Sequence, residues 1–163
     1  MQDFDLATIY RRHAPVVFRR ARHLLGSDAD AHEVVQDVFL SLFERPEQFE
    51  GRSSLTTYLY SMTTHACLTR LRNQRNRERL RQARLTPDAA AATGSGLRQD
   101  QLLMLRQTLA SLPSDVAQAA VYYLVDGLTH QEIARILECS RRHVGDLLAR
   151  LADVVLVEEA EAC

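Results

Sequence analysis

Apolar residues recur along this 163-residue chain at intervals of three and four, the spacing that gathers them on one face of an α-helix. A first helix is expected from a cap at Asp3 or Asp5 to about Leu25, with Leu6, Ile9, Tyr10, Val17, Ala21 and Leu24 on one face. Pro15 lies inside it and costs a backbone hydrogen bond; Gly26 ends it. A second helix over 29–44 turns Val34, Val35, Val38, Phe39, Leu42 and Phe43 inward. Glu33, Gln36, Asp37 and Ser41 fall on its other side. After Arg45-Pro46, residues 47–52 (EQFEGR) read as a loop carrying one aromatic, Phe49. Ser53 or Ser54 then caps a third helix with Leu55, Tyr58, Leu59, Met62, Ala66 and Leu68 inward.

Residues 86–96 (TPDAAAATGSG) break the pattern with small and polar residues and mark a flexible linker, spanning roughly 17–20 Å as a coil. Helical spacing resumes near Arg98, with Leu102, Leu105 and Leu109 on one face, and Leu112-Pro113-Ser114 breaks and recaps it. The next helix, over 115–126, buries Val116, Ala120, Val121 and Leu124 and is closed by Gly127. In 127–151, Thr129 with Glu132 three residues on forms a capping-box start, and Ile133, Ile136 and Leu137 give a short apolar face. Glu138-Cys139-Ser140 interrupts, and Ser140 caps a further helix with Val144, Leu147, Leu148 and Leu151 inward. Two short helices joined by about three residues match a helix-turn-helix, whose second helix can enter a major groove. The same pattern fits an αα-hairpin inside a bundle. No strand pattern is present. The fold class is therefore all-α: helical domains over 1–84 and 98–157, a flexible linker over 85–97, and an acidic tail over 158–163.

Hydrophobic residues make up 46% of the chain, enough for a buried core. No apolar run reaches the length of a membrane span and no basic-then-apolar leader opens the chain, so membrane insertion is not expected and the cytoplasm is the default location. Three cysteines with no CxxC do not make a disulfide framework. Charge matters more. Residues 1–84 hold 14 Arg against 10 Asp and Glu, whereas 85–163 hold 6 Arg against 11. Between positions 70 and 84 stand seven arginines (70, 72, 75, 77, 79, 81, 84) opposed only by Glu78. Like charges at this density repel, and a polyanion such as nucleic acid is the natural compensation. No nucleophile-base pair, paired carboxylate or phosphate loop stands out, so neither enzyme chemistry nor a cofactor is expected. Cys139 and His143 read as a structural Cys beside a surface His.

Two segments, taken together, resemble the bacterial sigma-70 family, in its extracytoplasmic-function (ECF) subgroup. One is DADAHEVVQDVFLSLFERPEQFEGRSSLTTYLYSMTTHACLTRLRNQR over 28–75; the other is LPSDVAQAAVYYLVDGLTHQEIARILECSRRHV over 112–144. The resemblance implies core RNA polymerase (the β′ clamp helices and the β flap) and promoter DNA as partners, with an anti-sigma protein as a candidate regulator. It implies that Val34, Gln36, Asp37 and Leu40 dock on the polymerase. The −10 element would be met by Phe49, Arg52, Ser53, Ser54, Tyr58, Tyr60, Arg70, Arg72 and Arg75. The −35 element would be met by Thr129, Ser140, Arg141, Arg142, His143 and Arg150. Departures from the family pattern include Tyr58 where Trp is usual, and Gly145 and Asp146 in the recognition helix. The alternative is a stand-alone helix-turn-helix regulator, or a sigma-like protein acting through protein contacts.

Overall fold

The computed structural model describes residues 5–84 and 97–161, with side chains placed for 5–84 and 99–154. The expected linker over 85–97 and the last residues of the acidic tail lie outside the described backbone, apart from Leu97 itself. Helix α1 (Leu6–Leu25) begins where the Asp5 carboxylate accepts from the Ala7 amide at 3.2 Å, and continues through Pro15. Its stop is Gly26, in the left-handed region at φ 73. A side chain there would also strike the Arg106 guanidinium, 2.5 Å from where a Cβ would stand. Arg106 comes from the second half of the chain and donates to the Leu24 carbonyl at 2.9 Å, a cation at a helix C-terminus.

Helix α2 (Asp28–Glu44) is capped by the Ser27 hydroxyl and buries Val34, Val35, Val38, Phe39 and Leu42, as its periodicity predicts. A short 3₁₀ turn (Pro46–Gln48) leads through the loop into α3 (Leu55–Arg84). The Ser54 hydroxyl accepts from the Thr57 amide at 3.1 Å, the expected cap. α3 buries Leu59, Thr63, Thr64, Cys67, Leu68 and Leu71. The two threonines lie inward because each hydroxyl bonds the carbonyl four residues back, at 2.6 Å (Leu59) and 2.9 Å (Tyr60). Burial raises the Cys67 thiol to about 12, so it stays a protonated packing group.

The second half comprises α4 (Leu97–Ser111), α5 (Ser114–Ala120), a π-helical turn (Val121–Val125), α6 (His130–Ile136) and α7 (Arg141–Glu161). Three expectations are corrected here. Leu6 and Tyr10 are exposed because the start of α1 meets the core only through Ile9, Ala14 and the edge contact of the Tyr10 ring with Phe39. Leu102 and Leu105 are exposed because α4 reaches the core only at its end, through Leu109 and Ala110. Leu124, expected inward, is 60% exposed, while Tyr122 is fully buried. The cause is the π turn: the Asp126 amide bonds the Val121 carbonyl five residues back at 3.1 Å, and the added residue rotates the following side chains away from α-helical phase. α7 also continues into the expected acidic tail, as far as Glu161.

α3 is the shared wall. α1, α2, α4 and α5 all pack against it. One apolar cluster consequently runs from Val17 and Leu68 in the first half to Leu112, Val116 and Leu147 in the second. The second half is not tethered loosely to the first; the two share a core. A smaller cluster (Tyr122, Ile133, Ala134, Val144) holds the two helices of the helix-turn-helix together. Leu147→Ala should therefore lower the stability of the whole chain by roughly 2–5 kcal/mol. Urea unfolding followed by circular dichroism should remain one transition; a new early transition confined to part of the helical signal would show that the halves unfold separately.

Candidate nucleic-acid interface

Between α2 and α3 the chain has no regular ladder, so the loop over 49–54 is set by side chains and by Gly51 at φ 69. Phe49 is half-buried and packs against Tyr58, ring centroids 5.2 Å apart. Around this aromatic pair lies a cavity of about 200 Å³ lined by Phe49, Gly51, Arg52, Ser53, Tyr58 and, from the second half, Glu138. Apolar ring faces, small hydroxyls and one exposed guanidinium are the groups a single unstacked base and its phosphate can use. Arg52 pairs with Glu50 at 2.5 Å and with Glu138 at 3.2 Å. The structure thus brings Phe49, Arg52, Ser53 and Tyr58 together, with Ser54 spent on the helix cap.

Tyr60, two residues on and so on the opposite side of α3, belongs to a different cluster. The Arg20 guanidinium sits 3.8 Å from its ring centroid. Arg20 reaches Asp126 through both terminal nitrogens, at 2.5 and 2.8 Å, and donates to the Thr64 hydroxyl. Both side chains of this pair are largely covered, with 8% and 12% exposed. Burial, then the bond to Asp126, pushes the Tyr60 phenol well above its usual range. Arg20 is absent from the residues expected from sequence to matter, although it carries a signal. It stands on the same apolar stripe as Val17, Ala21 and Leu24, where a charge must find a buried partner. Asp126 carries none, because its position depends on the π turn.

The arginine run divides in two. Arg70 is half-buried, bonded to Asp30 at 2.8 Å and to Glu33. Those carboxylates lie 40 and 37 residues away, which corrects the expectation that only Glu78 opposes the run. Arg72 donates to the Leu112 carbonyl at 3.4 Å. Arg75 is half-buried, and Arg77, Arg79, Arg81 and Arg84 are exposed on the projecting end of α3, with Arg81 paired to Glu78. On α2, Gln36, Asp37 and Leu40 are exposed, Leu40 by 56%. Val34, expected beside them as a docking residue, is 1% exposed and is a core residue instead.

In the helix-turn-helix, Thr129 is consumed by its capping box, accepting from the Glu132 amide while Glu132 accepts from Thr129. Those bonds hold the Glu132 carboxyl below its usual range. Ser140 caps α7, accepting from the His143 amide at 3.1 Å. Arg141, Arg142 and His143 are exposed on the first turn of α7, where a recognition helix meets base edges. Arg150 lies further along, 3.5 Å from Asp115. Glu138 occupies the turn with φ 51, a left-handed conformation uncommon for a residue with a Cβ.

An aromatic-lined loop cavity on one half and an exposed helix-turn-helix on the other define an all-helical protein with two candidate nucleic-acid contacts. The model for sigma-70 region 2 matches residues 9–77, and that for sigma-70 region 4 matches residues 102–151. The chain belongs to the sigma-70 family, and the curated relatives it matches are ECF sigma factors. Among curated relatives it is 28% identical over 141 residues to the ECF RNA polymerase sigma factor SigE of Mycolicibacterium smegmatis, covering 79% of this chain and 51% of that protein. The chain thus spans about half the length of that relative. It is 28% identical to the ECF RNA polymerase sigma-E factor of Escherichia coli, over 75% of this chain and 68% of the relative. The fold is similar to the sigma factor RpoE in complex with the anti-sigma factor NepR from Bartonella quintana (TM-score 0.51, 20% identity, 91% of this chain and 92% of that one). It is also similar to CnrH in complex with the cytosolic domain of CnrY (TM-score 0.53, 19% identity, 95% and 88%). Among the described residues no helix is long and apolar enough to cross a membrane.

The Asp30–Arg70 contact gives a pH signature. Burial raises the Asp30 pKa, but hydrogen bonds from Arg70, Ser27 and Gln74 outweigh it and hold the carboxyl below its usual range. A depressed pKa contributes stability that is present above the unfolded value of about 3.9 and is lost as pH falls through the folded one. Asp30→Asn should therefore destabilise the chain at neutral pH, and the difference from wild type should shrink as pH falls below about 4. Urea midpoints measured across that range check it; a difference independent of pH would assign the effect to packing.

Proposed function

We propose that the chain acts as a promoter-recognition subunit: it binds core RNA polymerase, meets the −10 and −35 elements and supports strand opening. The observation that carries this reading is the loop cavity, where Phe49 and Tyr58 face Arg52 and Ser53. Opening a duplex costs a few kcal/mol per displaced base. Stacking on an aromatic platform returns roughly 1–3 kcal/mol per base. The exposed arginines at the end of α3 supply phosphate contacts that add affinity without reading sequence. Gln36, Asp37 and Leu40 are the polymerase-facing candidates, with Val34 holding their helix from beneath. Arg141, Arg142 and His143 are the −35 readers, Arg150 a phosphate contact, and Thr129 and Ser140 act through the caps they form. Within the −10 set, Arg70, Arg72 and Arg75 line the helix behind the loop, and Arg70 must exchange Asp30 or Glu33 for phosphate to take part. No bond is made or broken in this work, so no catalytic group is needed. The partners are core polymerase through its β′ clamp helices and β flap, promoter DNA, and an anti-sigma protein of the kind that holds the two solved relatives.

Purified protein added to core polymerase should give run-off transcription from a promoter selected out of a random-sequence pool. Phe49→Ala should reduce strand opening, read by permanganate footprinting, by roughly 5- to 150-fold, the equivalent of one lost stacking contact. Failure to bind core at all would overturn the reading. Tight sequence-specific duplex binding without polymerase would replace it with a stand-alone regulator, for which the exposed first turn of α7 is the supporting observation.

A further inference from the structure

α7 carries two adjacent residues that neither its core face nor its cap explains, Gly145 and Asp146. Val144, Leu147 and Leu151 are buried beneath the helix, which leaves Arg142, Asp146 and Ala149 in line at i, i+4 and i+7 on its outward face. Asp146 is exposed and, among the described residues, pairs with no cation, although Arg142 and Arg150 stand one turn to either side. Arg150 leans toward Asp115 instead. The carboxylate therefore keeps its acceptor capacity on a face whose arginines only donate. Gly145, half-buried at the edge of the same face, is not required by the fold. Its φ lies outside the left-handed region, and no atom stands within 4 Å of where a Cβ would be. Glycine weakens a helix interior; what it offers in return is room for another backbone to come close. A side chain as short as Asp reaches a base edge only on such an approach, and Ala149, the next residue of the outward line, adds little bulk to oppose it.

Between two phosphate backbones a carboxylate is repelled wherever nothing answers its charge. The base edges differ in what they answer with. Cytosine presents its N4 amine as a donor; guanine presents two acceptors, thymine an acceptor and a methyl group, and adenine an amine beside the N7 acceptor. We propose that Asp146 is a specificity-determining residue of the −35 contact, accepting from a cytosine N4 amine while Arg142 meets a guanine. This deepens the promoter reading of α7 and rests on it. Four residues of helix advance about 6 Å and stacked bases lie about 3.4 Å apart, so the two side chains address positions one or two base pairs apart. Asp146 works mainly by exclusion. Opposite cytosine its charge meets a donor in a charge-assisted hydrogen bond. Opposite guanine or thymine it meets another acceptor, and the wrong site is rejected. It thus lowers affinity for duplex in general and raises discrimination at one base pair, a combination that a merely structural carboxylate does not produce.

The test uses holoenzyme reconstituted from the full chain and core polymerase, promoter duplexes with a randomised upstream element, and sequencing of the bound fraction. Wild type should enrich cytosine at one position by roughly 10-fold or more over guanine and thymine. Asp146→Ala should bring that preference below about 2-fold, leave the other positions in place, and bind a mixed-sequence duplex about 2- to 5-fold more tightly at about 0.15 M salt. Asp146→Asn, which puts an amide of the same size there, should move the preference at that position from cytosine to adenine. Arg142→Ala should relax a guanine one or two base pairs away and leave the cytosine. Should Asp146→Ala fail to fold by circular dichroism, Asp146→Asn carries the test alone. The same element selected by wild type and both Asp146 variants overturns the proposal and leaves the promoter reading intact, as does a loss of preference at every position together. A wild-type holoenzyme that forms but selects no upstream element overturns the proposal and the −35 assignment with it.

Discussion

A guanidinium cannot be buried without an anion within reach, and Arg20 is buried among two tyrosine rings and a threonine. Leaving such a charge unpaired costs about 3–5 kcal/mol, comparable to the whole effect of a large core truncation. Asp126 is the answer, and its two parallel bonds fix direction as well as distance. Apolar burial, by contrast, is non-directional and would tolerate several ways of laying α4 and α5 against α3. The pair thus selects one docking geometry from those the shared core would accept. Arg106 on the Leu24 carbonyl and Arg72 on the Leu112 carbonyl act in the same sense, each tying one half's cation to the other half's backbone.

The part of the fold legible in the sequence is local. The faces of α2 and the start of α3, the Ser27 region, Gly26 and the Thr129–Glu132 capping box all depend on residues within one or two turns of each other, and spacing alone reports them. The part that is not legible depends on phase or on distance. α-Helical counting turns Leu124 inward, and a single π turn invalidates the count. Arg70 reads as free charge because Asp30 and Glu33 stand 40 and 37 residues earlier and face it only after α2 folds back on α3. Leu102 and Leu105 have helical spacing, yet α4 overhangs the surface it would need. At the candidate site, the loop aromatics and the exposed first turn of α7 are readable as residue types. That Val34 lies beneath the exposed Gln36, Asp37 and Leu40, and that Arg20 lies against the Tyr60 ring, comes only from packing.

The division of positive charge along α3 has its own logic. Near Arg70 the helix runs beside α2 and its cations are matched by carboxylates, as a half-buried surface requires. Beyond Arg75 the helix leaves the core, the burial falls away, and four arginines stand in solvent. Unmatched charge costs little there because water screens it. The same helix is therefore structural at its start and electrostatic at its end, and the change occurs where its apolar stripe runs out after Leu71.

The π turn at Val121–Val125 works as a phase shifter between two rotating parts. One added residue turns the downstream side chains by about 100° relative to an uninterrupted α-helix, and that rotation sets Tyr122 against α3 and Asp126 against Arg20. Chain length in this stretch is thus a coded quantity. Deletion of one residue would leave every side-chain type present and the downstream capping box unharmed, yet would point the helix-turn-helix away from the face it now covers. Among relatives, a gap or insertion at this point should track the loss or gain of interdomain docking more closely than any substitution does.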